Sequence, residues 1–314
     1  MTHSYFVKSI ALNFRSSPNS SNRNNIITVL YQGQIVESEH DLEQKNVAKW
    51  ISIRVHLNGQ VINGFVSKLH LAVESPNPKP QQVDTIQFPI HLNENNPKVT
   101  LQSFQRAYPI GVAERPKLLE RPTLADKKNF IHTIVQFLDV EHNPRYKRTV
   151  NATYCNIYAY DFCYLAGVYL PRIWWNEGSI IKLWLKEKVI PIYGNTLFEM
   201  NANALFNWLA GFSSLFGWQR VYFESELQEA VNQGKVGLIC AKRINTNKSG
   251  HITVVVPETA NQQAFKDGTR LIPLQSQAGA TNRAYFSDLN GAAWYRHPRY
   301  QEFGFWVCDI GESN

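Results

Sequence analysis

The chain has 314 residues, of which 44% are hydrophobic and 12% aromatic, a composition that supports packed cores and excludes wholesale disorder. Its 32 Lys and Arg residues against 25 Asp and Glu residues give a formal net charge of +7. Because these cations are scattered, they argue against a nucleic-acid-binding arm, while their excess permits attraction to an anionic polymer such as a cell wall or membrane surface. A chain of this length predicts about two domains.

The first residues contain no uninterrupted apolar core and no small-residue cleavage site, so they do not resemble a conventional signal peptide. No apolar run approaches the ~20 residues needed to cross a bilayer. We therefore expect a protein made in the cytoplasm, without a membrane span. If it acts at the cell wall, lysis or a dedicated delivery route must bring it there.

Residues 1–73 are predicted to form a small β-barrel domain. Val and Ile alternate with polar residues, and turn-forming residues recur every eight to twelve positions. Asn58 and Gly59 separate two such alternating runs, as in a two-residue hairpin.

Three segments of this region resemble a bacterial SH3-like domain. They are "ALNFRSSPN" (11–19), "VLYQGQIVES" (29–38) and "KWISIRVHLNGQVINGFVSKLHL" (49–71). Phe65 stands where that family usually has Trp. The resemblance implies a module that binds the cell wall or a partner, and the alternative is a small barrel that only spaces or docks the following domain.

Residues 74–125 are predicted to connect the two domains. The stretch 74–89 has three prolines in quick succession and no periodicity, which indicates a stiff linker. Residues 98–109 fit either a strand or a short helix, and residues 114–125 are expected to be extended. The second domain is predicted to span 126–314, and apolar residues at helical spacing mark its first helix: Phe130, Ile134, Phe137 and Leu138.

Cys155 lies at the predicted start of a second helix, with Thr153 as its N-cap and Gly167 as its C-terminal cap. Unpaired amides and the helix dipole stabilise negative charge at a helix start, which favours a thiolate and an oxyanion there. A buried structural thiol is the alternative for Cys155. Cys163 and Cys240 lie in apolar runs and are expected in the core.

The cysteine spacing fits neither a zinc site nor a redox pair, so free thiols are expected and no metal or cofactor is predicted.

A cysteine nucleophile needs a base, and His251 is the candidate. It follows Gly250 at the end of a polar loop and begins the apolar run "HITVVV", which reads as a buried strand. A histidine that merely begins a strand is the alternative.

A third group should orient the imidazole. Gln277, just before an Ala-Gly pair, is the first choice, and Gln275, Glu258 and Asn282 compete with it.

Four segments in this order resemble papain-like cell-wall hydrolases related to the CHAP and NlpC groups. They are residues 137–171 around Cys155, "EMNANALFNWLAGFSSLFGWQRV" (199–221), residues 230–258 around His251, and "LQSQAGATN" (274–282). The resemblance covers about residues 130–310 and implies an α+β papain-like domain, in which a helix bearing the cysteine packs on an antiparallel sheet. It implies Cys155 as nucleophile, His251 as base, Gln277 as orienting group and Asn156 as oxyanion support.

Residues 174–198 fit this family only loosely, so the substrate groove is expected to differ. The Trp and Tyr residues between 169 and 184 are expected either to line such a groove or to pack in a core.

The resemblance implies a peptidoglycan amidase or endopeptidase that cleaves an amide of the peptide stem. A phage-tail-associated lysin, an endolysin or an effector of a contractile injection system fits this activity. An effector would imply an immunity protein or an injection or phage-tail component as partner. Two alternatives stay open: a non-catalytic wall-binding component of a larger assembly, and a cysteine protease or deamidase toxin that acts on protein.

Overall fold

The computed structural model describes residues 2–9, 11–20, 25–31, 35–42, 44, 47–57, 60–73, 89–91, 108, 110, 114–185, 187–268, 270–289 and 291–310. The chain divides into two compact units, Met1–Thr85 and Ile86–Asn314. The predicted linker lies outside the described residues except for Pro89, and so do residues 98–109 except for Tyr108.

The first unit is an antiparallel β-sheet of seven strands within its described residues, in the order β3-β2-β6-β5-β4-β1-β7. The strands are β1 (His3–Val7), β2 (Ala11–Arg15), β3 (Ile26–Tyr31), β4 (Ile35–Ser38), β5 (Trp50–Leu57), β6 (Gln60–Ser67) and β7 (Leu71–Ala72).

The core of this unit comes from the apolar residues that alternate along its strands, including Tyr5, Phe14, Leu30, Ile53 and Val66. Because successive strand residues point to opposite faces, this alternation places one apolar face inward. The structure therefore confirms the prediction of an all-β unit, in which the described strands pair antiparallel. The pairing of the described strands leaves β3 and β7 as edges, so the barrel is not closed.

The predicted hairpin joins β5 and β6, which pair along their whole length with Leu57 opposite Gln60. The predicted turn residues between these two partners lie outside the described residues.

The second unit contains both helices and strands. The helices are α1 (Leu124–Leu138), α2 (Cys155–Leu165), α3 (Glu177–Trp184), α4 (Ala202–Gly211) and α5 (Glu224–Asn232). The strands are β8 (Ile173–Trp175), β9 (Leu197–Glu199), β10 (Gln219–Val221), β11 (Val236–Arg243), β12 (His251–Val255), β13 (Phe265–Asp267), β14 (Arg270–Ile272), β15 (Gln275–Gln277), β16 (Arg283–Phe286) and β17 (Tyr300–Cys308).

The centre of this unit is an antiparallel sheet of six described strands in the order β10-β17-β11-β12-β15-β16. Helices α2 and α4 pack on one face of this sheet, and α1 packs on α2. Helix α5 packs on the other face against β11 and β17. The α+β class predicted from the sequence is therefore confirmed, with a sheet between two unequal layers.

Helix α1 begins where the chain supplies its own cap. Thr123 accepts a hydrogen bond from the Asp126 backbone N–H, and the Asp126 carboxylate accepts one from the Thr123 backbone N–H. This reciprocal pair satisfies two amides that the helix leaves open. Residues 114–123 before it form neither helix nor strand, whereas Leu124 and Ala125, which were expected to be extended, belong to the helix.

The aromatic residues after α2 pack in the core of this unit. Trp174 and Trp175 are buried, and Trp174 contacts Trp208 edge to face with 5.7 Å between ring centroids. Of the two alternatives expected from the sequence, these two side chains therefore pack in a core and do not line a substrate groove.

Within the described residues, none of the helices combines the length and apolar character that crossing a membrane requires.

Candidate active site

His251 lies at one end of a strand in the central sheet. It is the first residue of β12 and pairs with Ala241 of β11. A Cβ atom on Gly250 would lie 2.1 Å from the Ala241 carbonyl oxygen and 2.8 Å from Asn203 Oδ1. Only glycine can therefore occupy position 250 without a clash with the backbone of β11, and His251 is the next residue.

His251 forms a hydrogen bond with Gln277. Strand β12 pairs with β15, which places Val255 opposite Gln275 and Val254 opposite Ser276. In this register Gln277 is the diagonal neighbour of His251 on one face of the sheet. The His251 Nε2 atom lies 2.6 Å from Gln277 Oε1.

A second contact fixes which atom of the Gln277 amide faces the imidazole. Its Nε2 donates to the Thr281 carbonyl at 3.1 Å, so Oε1 is left to accept from His251. The imidazole must then carry its hydrogen on Nε2. The Nδ1 lone pair of His251 is thereby free to accept a proton.

The other candidates for the third group bond elsewhere. Gln275 accepts from Thr253 Oγ1 and Trp294 Nε1, both at 2.9 Å. Glu258 accepts from Asn232 Nδ2 and the Ala264 backbone, and Asn282 donates to the Val140 and Tyr146 carbonyls. Of the four candidates for the third group, Gln277 is the one whose side chain forms a hydrogen bond with His251.

Cys155 is the first residue of α2, and the helix start differs from the one predicted. The N-cap is Tyr154, whose carbonyl accepts from the Ile157 and Tyr158 amides, and no side chain caps the helix. Thr153 is one position too early to act as the cap. The first amides of α2 are therefore left without a competing side-chain acceptor.

The predicted end of α2 is confirmed. Gly167 has φ = 69°, directly after the last helical turn.

The Cys155 sulfur lies where α2 meets β12. The backbone N–H groups of Ile252, Asn156 and Cys155 itself point at the sulfur and favour its thiolate. Burial favours the neutral thiol and has the larger effect, because Cys155 is only 3% exposed. The net result is that burial raises the pKa of the Cys155 thiol to about 11.

His251 is half-buried, and burial lowers the pKa of its imidazole to about 4. The hydrogen bond that His251 donates to Gln277 raises this pKa, and the charges of Arg299 and Arg243 lower it further. At neutral pH the site therefore rests as a neutral thiol and a neutral imidazole. Among the described residues, no hydrogen bond joins the Cys155 sulfur to the His251 ring.

Asn156 connects α2 to the neighbouring segment. Its side-chain Nδ2 donates to the Met200 carbonyl at 2.9 Å. Its backbone N–H, rather than its side chain, is the group that points at the Cys155 sulfur. The Asn156 side chain thus anchors the helix start, and its backbone amide faces the Cys155 sulfur.

The sequence analysis missed an aromatic layer beside the imidazole. The Trp294 ring lies edge to face with His251, with centroids 4.5 Å apart, and its centroid is 5.5 Å from that of Tyr300. Trp294 and Tyr300 are the first and last residues of the stretch "WYRHPRY" (294–300). Its density of aromatic and cationic residues is the sequence feature that could have indicated this layer.

The other three cysteines are free and buried, Cys163 and Cys240 completely, as expected for core residues. Among the described residues, no three His, Cys, Asp or Glu side chains converge in a way that could hold a metal ion.

Comparisons with known proteins add little to this geometry. No model of a known protein family matches the chain, and no curated protein matches it. Among solved structures, NlpC2 from Trichomonas vaginalis is similar at 8% identity and a TM-score of 0.26, over 99% of this chain and 73% of that one. A likeness at this level carries no argument about fold or activity.

Proposed function

We propose that the second unit is a cysteine-dependent amide hydrolase with a papain-like arrangement of Cys155, His251 and Gln277. The observation that carries the proposal is the 2.6 Å hydrogen bond between His251 and Gln277. It leaves Nδ1 of the imidazole as a base, one residue before the amide that points at the Cys155 sulfur. A thiol on an uncapped helix start and an oriented imidazole are two parts of a nucleophile-and-base pair.

In the proposed reaction, the substrate opens access to the sulfur when it binds. His251 Nδ1 takes the thiol proton as the Cys155 sulfur attacks the amide carbonyl, so that a carbon–sulfur bond forms. Backbone N–H groups at the start of α2 stabilise the oxyanion. The imidazolium gives its proton to the leaving amine, and the carbon–nitrogen bond breaks. Water, activated by the same imidazole, then hydrolyses the thioester and restores the thiol.

The proposed substrate is a peptide-stem amide of peptidoglycan. The support comes from the residues that resemble cell-wall hydrolases, from the net charge of +7, and from the separate β unit at the N-terminus. On this proposal the β unit binds the wall or a partner. Delivery as an injected effector, a tail-associated lysin or an endolysin remains part of the same proposal.

The first prediction tests the nucleophile with purified sacculi. The wild-type protein is expected to release soluble fragments, and Cys155→Ala is expected to release none because no other thiol can attack. Cys308→Ala is the matched control, because it removes a buried thiol at the end of β17 and leaves the site intact.

Thermal unfolding of both variants distinguishes loss of chemistry from loss of fold. If the folded Cys155→Ala protein digests sacculi as fast as wild type, the nucleophile assignment is wrong. Mass spectrometry of the fragments identifies the bond cleaved.

The second candidate function is non-catalytic binding to the cell wall. The observation that favours it is the enclosed, protonated sulfur, with 3% exposure and a pKa raised to about 11. This candidate predicts that wild-type protein binds sacculi without digesting them and that thiol-reactive substrate analogues leave Cys155 unlabelled.

A further inference from the structure

Two arginines lie on one tyrosine ring beside the candidate site. The guanidinium carbons of Arg243 and Arg299 are 5.2 and 5.1 Å from the centroid of the Tyr300 ring. Strand pairing accounts for this convergence, because Arg243 at the end of β11 pairs with Tyr300 at the start of β17. Arg299 precedes Tyr300 in the chain.

The backbone around both arginines is held in place. The Arg243 amide donates to Asn203 Oδ1 at 2.9 Å, and its side-chain Nε donates to the Ser249 carbonyl at 3.2 Å. The Arg299 carbonyl accepts from the Ile244 amide at 3.2 Å. The two guanidinium groups are thus attached to a fixed frame.

Neither arginine forms an ion pair with a carboxylate in the part of the chain that the structure describes. Other arginines of the molecule do have such partners. These pairs are Arg54–Glu39, Arg145–Asp161, Arg172–Glu199, Arg283–Asp288 and Arg296–Glu224. Two like charges gathered on one ring without a counter-charge repel each other, and an anion between them would relieve that repulsion.

The pair lies within electrostatic reach of the reacting groups. Both positive charges act on His251, and a charge on the Cys155 sulfur acts on the Tyr300 hydroxyl. Trp294 fills the space between the His251 and Tyr300 rings. An anion bound at the arginines would therefore lie within electrostatic reach of the site, with the Trp294 ring between it and the imidazole.

We propose that Arg243 and Arg299, supported by Tyr300, bind a carboxylate of the substrate beside the scissile amide. This inference rests on the proposed function, because it names the charge of the peptide that the site accepts. Guanidinium groups pair with carboxylates through parallel hydrogen bonds, so two of them select an acidic peptide over its uncharged analogue. The peptide-stem amide of the proposed reaction offers such carboxylates in its own chain.

The test compares two alkylating reagents that differ in one charge. Iodoacetate carries a carboxylate and iodoacetamide does not, and both transfer their carbon to the Cys155 sulfur with loss of iodide. Mass spectrometry of the Cys155 peptide gives both rates in the full-length protein at about pH 8.5, where some thiolate forms. The ratio of the rates cancels the intrinsic reactivity of the thiol and reports the local preference for an anion.

The ratio is expected to fall about threefold in Arg243→Gln or Arg299→Gln and about tenfold in the double variant. High salt should reduce the wild-type ratio as well, because the interaction is partly exposed. Arg270→Gln, on β14, removes the same charge from an exposed position and should leave the ratio unchanged. An unchanged ratio in the double variant would overturn the proposal.

A second readout separates this inference from the proposed function. Wild type and the double variant are each incubated with stem peptides that have a free carboxylate and with the carboxamide forms of the same peptides, and the cleavage rates are compared. Wild type should prefer the acid through a lower KM, and the double variant should lose that preference. If wild type cleaves neither peptide nor sacculi while the alkylation ratio still depends on both arginines, the proposed function fails and the anion site stands. If it cleaves both peptides equally, the anion site is wrong and the hydrolase proposal survives.

Discussion

The amide of Gln277 determines which nitrogen of His251 can act as a base. Because its Nε2 is used by the Thr281 carbonyl, its oxygen must accept from the imidazole, and Nδ1 keeps its lone pair. An amide does this without a charge, so it orients the ring and provides only limited stabilisation of the imidazolium. Burial then lowers the pKa of His251 to about 4.

Replacing this amide by a carboxylate should move the titration of His251. In Gln277→Glu, the negative charge stabilises the imidazolium, and we expect the pKa of His251 to rise from about 4 by ~1–2 units. NMR titration of the histidine ring measures it directly. A His251 pKa that stays at the wild-type value would contradict the contact between the two side chains.

The same pKa shift predicts how stability depends on pH. The unfolded chain binds a proton at His251 near its ordinary value of 6.5, and the folded chain binds it only near 4. Stability is therefore fully present above pH 6.5 and falls as the pH drops towards 4, by roughly 2–3 kcal/mol from this group. In His251→Gln this contribution is absent, so urea unfolding should show a smaller loss between the two pH values. If the free energy of unfolding changes with pH in the same way in both proteins, the pKa of His251 is not shifted by folding and the prediction is wrong.

At the residue scale, the sequence singled out Cys155 and His251 as candidates and missed their surroundings. Both residues were singled out because each stands at a helix or strand start, where the local pattern is informative. Arg243, Arg299 and Tyr300 were missed because the pairing of β11 with β17 brings them together, and no local pattern encodes that pairing.

The hairpin of β11 and β12 is the element that positions His251. Gly250 permits a backbone approach that any side chain would block, since a Cβ atom would lie 2.1 Å from the Ala241 carbonyl oxygen. Backbone cannot yield there without separating the two strands. The position of His251 thus depends on a residue with no chemistry of its own.

Gly250→Ala is accordingly expected to destabilise the protein by about 2 kcal/mol or more and to reduce alkylation of Cys155 through a displaced site. Gly178→Ala is the matched control, because its Cβ in α3 would meet nothing nearer than Asn176 Oδ1 at 3.7 Å. That change should be neutral or stabilise by up to about 1 kcal/mol, since alanine favours a helix. Denaturant unfolding compares the two, and equal effects would refute the steric argument.

Periodicity sufficed to predict most elements of the site. The apolar spacing of α1 and α2 and the β-branched run of β12 are local signals, and the structure contains all three. The N-cap of α2 was mispredicted by one residue. Thr153 is the residue type that usually caps a helix, but α2 starts after Tyr154 without a side-chain cap. Closure of the N-terminal sheet depends on pairing between distant strands, which the alternation of its residues does not specify.

At the scale of the whole molecule, the two units have separate hydrophobic cores. The core of Met1–Thr85 draws on residues between Tyr5 and Leu71, and the cores of Ile86–Asn314 share none of them. Two domains were expected from the length of the chain alone.

Each unit is therefore expected to fold when expressed alone. Fragments 1–85 and 86–314 should each show a cooperative thermal transition by circular dichroism, and Cys155 of the larger fragment should alkylate at the full-length rate. A larger fragment that stays unfolded would contradict the independence of the two cores.

The protonated, enclosed sulfur at the head of α2 also affects the lifetime of the protein in oxygenated surroundings. Peroxide and disulfide reagents react with thiolates that they can reach, and at neutral pH the resting Cys155 offers little of either the charge or the access. The resting protein should thus resist oxidative inactivation over a long transit and become vulnerable only while the site stands open.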